Sequence, residues 1–232
     1  MMKSNFFLKT TMLILFAMAS GSYSLSAQNG CTNGNCKDGT GTYSYTNGDQ
    51  YVGEFKNYKL NGKGTFTYGA GTWKGGKYTG DFKDNKLEGT GTFFYANGDK
   101  YEGAWSNNKI NGTGTFTYAN GDTYTGEWLN NECSGKGTFT YGSGKYQGAT
   151  TTGDWKNNKL NGYAVFLGKD GEKYEGEWKN NLKEGKGTLH MANGNKYTGD
   201  WKNGMFDGQG TFTYANGKEV VGEWKENNPV IK

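Results

Sequence analysis

The residues best able to do chemistry in this sequence are few and scattered. His190 is the only histidine, and no second histidine or activated nucleophile pattern accompanies it, so general-base and nucleophilic catalysis find no support. It stands where Thr67 and Thr117 stand in other copies of a repeated pattern described below. We therefore expect no catalytic residues, no enzymatic activity and no cofactor.

Three cysteines offer thiol chemistry. Cys31 and Cys36 are close enough in sequence to close a small loop in an oxidising compartment, and we predict a disulfide between them. Cys133 lies two residues before Gly135, where other copies have Leu60 or Leu87. Because free cysteine commonly packs as a small apolar residue, we expect Cys133 to be buried rather than reactive.

An acidic residue recurs at one position of the pattern and could suggest a ladder of cation sites. A lysine follows two residues later in most copies, as Lys56 follows Glu54, so weak surface ion pairs explain the acidic row better. No Asp-x-Asp loop occurs, and we expect no metal site. The acidic row comprises Glu54, Asp81, Glu127, Asp154, Glu177, Asp200 and Glu223.

Composition points to an ordered β protein that is rich in glycine. The chain has 41 glycines, 1 proline and 33% hydrophobic residues, yet aromatic residues reach 16%. Burial must therefore come mainly from rings, and their regular spacing argues against disorder. All basic residues are lysines. Since arginine, which reads guanine and clamps phosphate with two hydrogen bonds, is absent, we expect no nucleic-acid partner.

The first 27 residues differ from the rest of the chain. Lys3 and Lys9 lie near the start, an apolar run follows at Met12–Ala19, and small residues lead to Ala27. This pattern predicts a signal peptide at 1–27 and a mature N-terminus at Gln28. We therefore expect an exported protein, located in the periplasm, at the cell surface or outside the cell. Loss of the two lysines leaves 24 basic and 22 acidic residues, a formal charge of +2.

The elements that position these residues are tandem copies of one pattern, Tyr-x-Gly-x-Trp, seven residues, Gly-x-Gly-x-Phe-x-Tyr. The successive copies are 27, 23, 23, 27, 23, 23 and 23 residues apart. The longer copies insert related segments in which Trp73 and Tyr146 align, so a block of three copies has been duplicated. The copies begin at Tyr51, Tyr78, Tyr101, Tyr124, Thr151, Tyr174, Tyr197 and Val220.

Each half of the pattern alternates with period 2, which predicts a β-strand with its rings on one face. Asn-Gly and Asp-Gly pairs, such as Asn97–Gly98 and Asp170–Gly171, supply the positive φ of tight turns between strands. Glycine between two rings on the same face is expected to leave clearance for a ring of the neighbouring strand. Departures from the pattern are Ala164, Gly168, Leu189 and Met191.

This pattern resembles the MORN repeat over roughly residues 38–225. The resemblance implies an all-β fold, an elongated single-layer antiparallel sheet of tandem β-hairpins, with scaffolding, protein association or phospholipid contact as its functions. We divide the chain into a signal peptide at 1–27, an N-terminal cap segment at 28–37, a MORN array at 38–226 and a C-terminal tail at 227–232.

The function expected from this organisation is non-enzymatic. We predict a repeat scaffold for protein association or self-association in the cell envelope or outside the cell, with peripheral phospholipid binding as the alternative. A single layer should leave its ring-lined face partly uncovered, and that face is the predicted binding surface. Its candidate residues are Tyr101, Trp105, Phe116, Tyr118, Tyr124, Trp128, Phe139, Tyr141, Trp178 and Trp201.

Overall fold

A computed structural model describes residues 30–231. The predicted signal peptide and Gln28 lie outside the described residues. The described chain forms two compact bodies. We call residues 30–121 with 127–131 the N-terminal body, and residues 122–126 with 132–231 the C-terminal body.

Both bodies are built from short β-strands, and two 3₁₀ turns, Gly71–Trp73 and Gly144–Tyr146, interrupt them. The strands are β1 Cys31–Gly34, β2 Gly39–Ser44, β3 Gln50–Lys56, β4 Lys59–Thr67, β5 Lys77–Lys83, β6 Lys86–Phe94, β7 Lys100–Ser106, β8 Lys109–Thr117, β9 Thr123–Leu129, β10 Glu132–Thr140, β11 Thr150–Lys156, β12 Lys159–Leu167, β13 Lys173–Lys179, β14 Leu182–His190, β15 Lys196–Lys202, β16 Met205–Thr213, β17 Glu219–Lys225 and β18 Asn228–Pro229.

Each strand pairs antiparallel with its neighbours in sequence, from β1 to β8 in the N-terminal body and from β10 to β18 in the C-terminal body. Each copy of the pattern supplies two strands, which we call the first and second strand of a repeat. The predicted fold class, an all-β antiparallel sheet of tandem hairpins, is confirmed.

The turns inside the repeats were not predicted from the sequence. The two strands of a repeat are joined by two residues that both have positive φ, as at Asn107 (51°) and Asn108 (65°). Asparagine tolerates this conformation better than most residues, which suits it to two-residue hairpin turns. The predicted Asn-Gly pairs lie in longer loops between repeats, where only the glycine has positive φ, as at Gly98 (91°).

A β-bulge between the two strands of a repeat follows the first residue of the pattern in six repeats, and that residue is tyrosine in five of them. The pairing of β7 with β8 shifts after Gly103↔Gly114 and resumes at Trp105↔Ile110, so Ala104 lies opposite a longer segment of β8. The Tyr101 hydroxyl donates a hydrogen bond to the Ala104 carbonyl at 3.1 Å. The same bond recurs from Tyr51, Tyr78, Tyr174 and Tyr197 to the residue three positions later.

The glycines of the two strands meet as pairs, for example Gly103 with Gly114. A Cβ added at Gly103 would lie 2.5 Å from the Gly114 Cα, and one added at Gly114 would run into the Tyr101 ring. The expectation that these glycines make room for a ring of the neighbouring strand is therefore confirmed at Gly114 of β8, over which the Tyr101 ring of β7 lies. They admit the tyrosine of their own repeat and a close approach of two backbones.

Successive repeats are joined by an asparagine clamp. The second turn residue Asn108 donates its N–H to the Leu87 carbonyl at 3.1 Å, and its Oδ1 accepts the Leu87 N–H at 2.7 Å. Both backbone groups of a buried residue in the preceding repeat are thus satisfied. The side-chain half of the clamp recurs at Asn85, Asn131, Asn158, Asn181 and Asn227.

Candidate partner-binding surface

The predicted binding face contains rings that the structure mostly buries. Eight of the ten candidates are buried, namely Tyr101, Trp105, Phe116, Tyr124, Trp128, Phe139, Trp178 and Trp201. Only Tyr118 and Tyr141 are half-buried. We predicted a partly uncovered ring face, and among the ten candidates only these two rings remain partly accessible, because the rings of adjacent repeats cover one another.

Contacts around Trp105 show how this covering works. Its ring lies edge-on to Tyr101 of its own repeat at 5.3 Å between centroids, and edge-on to Tyr78 of the preceding repeat at the same distance. Its Nε1 donates to the Gly91 carbonyl at 3.1 Å. Such edge-to-face pairs stabilise a core beyond the area that they bury. The rings thus supply the core of a one-layer sheet.

A row of tyrosines at the loop end of this face remains partly accessible. In the N-terminal body we define the tyrosine row as Tyr45, Tyr68, Tyr95 and Tyr118, the last aromatic of each pattern. Tyr68 is buried, and the other three are half-buried. Each of the first three rings contacts the phenylalanine of the next repeat at 5.6–5.7 Å. The row therefore forms a continuous aromatic rim.

In each body, the inserted segment adds one ring beside the last aromatic residue of the pattern. Trp73, in the first 3₁₀ turn, lies 6.0 Å from Tyr95 and 5.9 Å from Phe93 between ring centroids. Tyr146 contacts Tyr141 at 5.7 Å and Phe166 at 6.0 Å in the same manner. The alignment of the two insertions inferred from sequence therefore agrees with their matching folds.

The equivalent row in the C-terminal body is interrupted. Tyr141 and Tyr214 keep the tyrosine, whereas Gly168 and Met191 stand at the two positions between them. Burial raises the pKa of the Tyr141 phenol to about 12, so its hydroxyl stays protonated at physiological pH. Only the N-terminal body presents an uninterrupted series of tyrosines.

On the face opposite the rings, carboxylates of the acidic row accept hydrogen bonds from backbone N–H groups. Asp200 Oδ2 accepts the Gln209 N–H at 2.8 Å, and its Oδ1 pairs with Lys186 Nζ at 2.5 Å. The Lys186 ion pair holds the pKa of Asp200 below its usual range. Asp81 pairs in the same way with Lys63, on the preceding strand. The lysine partners thus lie across the strands, not two residues later in sequence.

The remaining candidates occupy ordinary positions in the repeat. Cys31 and Cys36 form a disulfide, while Cys133 is a buried free thiol whose pKa is raised by burial. His190 is exposed at the end of β14, between Lys173 and Lys196 on the neighbouring strands. Within residues 30–231, no group of three or more His, Cys, Asp or Glu side chains is placed to hold a metal ion.

One unusual residue escaped the sequence analysis. The position that we call the apolar slot carries Leu60, Leu87, Ile110, Cys133, Leu160 and Phe206, all at most 8% exposed. In the remaining repeat the slot carries Lys183. Its Nζ lies 4.5 Å from the Tyr174 ring centroid and 5.0 Å from that of Trp201. Aligning the repeats position by position would have revealed this substitution.

These features define a tandem β-hairpin repeat protein in which glycine pairs, tyrosine-capped bulges and asparagine clamps recur with the period of the sequence. The MORN repeat family model matches residues 37–50, 51–73, 78–100, 101–123, 124–148, 152–173, 174–196 and 197–219. The chain belongs to the MORN-repeat family. No curated protein matches its sequence.

Solved structures give only faint likenesses. The TCP domain of SAS-4 from Drosophila melanogaster, in complex with a proline-rich motif of Ana2, is 18% identical over 57% of this chain and 71% of that chain, with a TM-score of 0.36. The TCP10 domain of Danio rerio CPAP is 10% identical over 79% of this chain and 88% of that chain, with a TM-score of 0.25. These scores are too low to support an argument about this chain.

No helix within residues 30–231 is long and apolar enough to cross a membrane.

Proposed function

We propose that this protein is a non-enzymatic scaffold that binds a protein partner through the tyrosine row of its N-terminal body. The observation that carries the proposal is the contrast between the buried core rings and the half-buried Tyr45, Tyr95 and Tyr118 beside them. Tyrosine combines a rigid apolar ring with a polar hydroxyl, and it is enriched at protein interfaces for that reason.

The proposal places the protein in the cell envelope or outside the cell. Its supports are the apolar run near the N-terminus, which follows Lys3 and Lys9, and the Cys31–Cys36 disulfide, which suits an oxidising compartment. Mass measurement of the protein recovered from its native host tests this part, with Gln28 expected at the mature N-terminus. Recovery with Met1 to Ala27 still attached would remove the argument for export.

Partner binding is tested with a matched pair of variants. Tyr118→Ala removes a ring of the tyrosine row, whereas Tyr163→Ala removes one that is 54% exposed on the opposite face. Pull-down from the native envelope fraction identifies the partner, and titration then gives its affinity. Tyr118→Ala should weaken binding by about 1–2 kcal/mol, as expected for a contact tyrosine. Equal binding by wild type and Tyr118→Ala would reject the tyrosine row as the site.

Self-association is examined in the same experiments by size exclusion with light scattering. If the wild type has the mass of more than one chain and Tyr118→Ala has a lower mass, the partner is a second copy of this protein. A single-chain mass for every variant would direct attention to a different protein.

Phospholipid binding remains the second candidate, because lysines flank the turns within the repeats, as Lys83 and Lys86 do. Each lysine near an anionic membrane surface contributes about 1 kcal/mol, although some of these lysines are paired, as Lys59 is with Asp84 at 3.0 Å. Sedimentation with anionic and with neutral vesicles distinguishes the two functions. Binding to anionic vesicles that is unchanged in Tyr118→Ala would favour lipid contact over the tyrosine row.

A further inference from the structure

Three half-buried rings from consecutive repeats lie side by side at the loop end of the N-terminal body. They are Trp73, Tyr95 and Tyr118, and we call them the aromatic strip. Trp73 lies 6.0 Å from Tyr95 between ring centroids. The Phe116 ring lies between the other two, 5.6 Å from Tyr95 and 4.7 Å from Tyr118. The strip is therefore a continuous, partly accessible aromatic surface that crosses from one repeat to the next.

The polar atoms of this surface are not offered to a partner. The Nε1 atom of Trp73 and the hydroxyl of Tyr95 are both buried, and burial raises the pKa of the Tyr95 phenol far above its usual range. Strands β5, β6 and β7 beneath the strip each pair with a neighbour on both sides. These strands have no open edge to which a partner strand could be added. A partner must therefore contact the strip mainly through carbon atoms against the rings.

The spacing of the rings selects the conformation of such a partner. One repeat contributes two strands, so equivalent rings of successive repeats are about 9.5 Å apart along the sheet. A polyproline II helix has three residues per turn and rises about 3.1 Å per residue, so every third side chain returns to the same side after about 9.3 Å. The two periods match. A segment in this conformation that lies along the strip brings one side chain to each repeat.

We propose that the aromatic strip binds a proline-rich segment of a partner protein in the polyproline II conformation. Prolines three residues apart lie on the rings of Tyr95 and Tyr118, and Trp73 covers the flank of the segment. Such a segment is already extended before it binds, and aromatic-lined surfaces recognise it through proline rings. Proline also has no N–H that would need an acceptor here. This inference rests on the proposed function, because the strip shares two residues with the tyrosine row.

The C-terminal body supplies an internal comparison. Tyr146 aligns with Trp73 in the second inserted segment, but Gly168 stands at the position of Tyr95, and the next repeat has Met191. The inserted ring is therefore present in both bodies, whereas the rings that follow it are present only in the N-terminal body. We expect the second insertion to contribute nothing to the binding of a proline-rich segment.

Two synthetic peptides test the match of periods on the intact protein. Both are uncharged and have the same length and composition, but one has proline at every third residue and the other at every fourth. Fluorescence anisotropy of the labelled peptides measures their affinities. The first peptide should bind at least about fivefold tighter, because only its prolines return to one side of a polyproline II helix with each turn. Equal affinities, or no binding of either peptide, would overturn the proposal.

A matched pair of variants then locates the site. Trp73→Ala should weaken binding of the first peptide at least about threefold, as loss of a contact ring does at an interface. Tyr146→Ala, the aligned change in the other body, should leave binding unchanged, and thermal unfolding checks that both variants are folded. Equal affinities of the two variants would contradict the assignment. If neither peptide binds while Tyr118→Ala still weakens the native partner, the tyrosine row remains the site and the proline-rich class is wrong.

Discussion

At the scale of single residues, two departures from the pattern, Thr151 and Ala164, compensate each other. Thr151 stands where other repeats have tyrosine, and Ala164 stands where they have the glycine beneath that ring. Both are buried and face the same region of the core. Because a Cβ added at the equivalent Gly137 would run into the Tyr124 ring, alanine is tolerated at 164 only where the tyrosine is missing.

This pairing predicts strong coupling between the two positions. Thr151→Tyr alone should destabilise the protein by about 1–3 kcal/mol, because the new ring collides with the Ala164 methyl group. Thr151→Tyr with Ala164→Gly restores the common pair and should be at least as stable as wild type. Urea unfolding of both single variants and the double variant measures the coupling. Strictly additive effects would show that the ring does not lie over residue 164.

Lys183 makes stability depend on pH in an unusual direction. Its pKa is lowered to about 8 in the folded state from the usual 10.5, so between these values the unfolded state binds more protons and stability rises with pH. Below pH 8 the full penalty of burying the charge is present. Lys183→Met should therefore stabilise the protein at pH 7, by about 3 kcal/mol at most.

The advantage of Lys183→Met should shrink as pH rises from 8 to 10.5 and then stay constant. Thermal or urea unfolding across this range measures it, with Lys186→Met as the exposed control. If the difference in the free energy of unfolding between Lys183→Met and wild type does not change with pH, burial does not lower the pKa of Lys183 in the folded state.

At the scale of the hairpin, asparagine has two separate tasks in the turns. Asn108 adopts positive φ, and its side chain accepts the N–H of the buried residue Leu87. Its neighbour Asn107 also has positive φ, but its Oδ1 accepts only from the exposed Lys86 Nζ at 2.9 Å. Both asparagines thus contact the preceding repeat, but only the side chain of the second satisfies the backbone of a buried residue there.

Substitutions at the two positions should separate these tasks. Asn108→Gly keeps the turn and leaves the Leu87 N–H without its acceptor, which should cost about 1–3 kcal/mol. Asn108→Ala adds the penalty of positive φ, roughly 1–2 kcal/mol more. Asn107→Gly should change the free energy of unfolding little. If Asn108→Gly were as stable as Asn107→Gly, the clamp would contribute nothing to the joining of repeats.

At the scale of the whole molecule, each repeat depends on its neighbours for burial. The rings of one repeat are covered by those of the adjacent repeat, and a lone hairpin of this kind would leave them in water. Stability in such arrays is a sum of terms for each repeat and for each contact between neighbours. Opening of the array should therefore expose groups that are inaccessible in any closed repeat.

Cys133 offers a probe of that opening, since it is a free thiol and only 3% exposed. Burial raises its pKa, so little thiolate is present near pH 8. Native labelling with a thiol reagent should be at least about a hundredfold slower than labelling in denaturant, because reaction requires opening. The rate should rise with sub-denaturing urea. Rapid native labelling of Cys133 would contradict its place in the core.

The sequence by itself determined the repeat, its two strands and the face on which the rings lie, because period-2 alternation and fixed glycine spacing are local properties of the chain. It also indicated the role of Cys133, since the apolar slot is visible when copies are compared. The Asn-Asn turns were missed because the Asn-Gly signal is stronger, although both pairs can adopt positive φ.

Only the tertiary structure decided which rings remain accessible. Tyr101 and Tyr118 are both tyrosines on the same predicted face, yet Tyr101 folds over the Gly103–Gly114 pair and is buried while Tyr118 is half-buried at the rim. The difference arises from contacts between repeats and from the register shift between β7 and β8, which depend on register across strands. Register and coverage by a neighbouring repeat are non-local, so the pattern of one strand does not contain them.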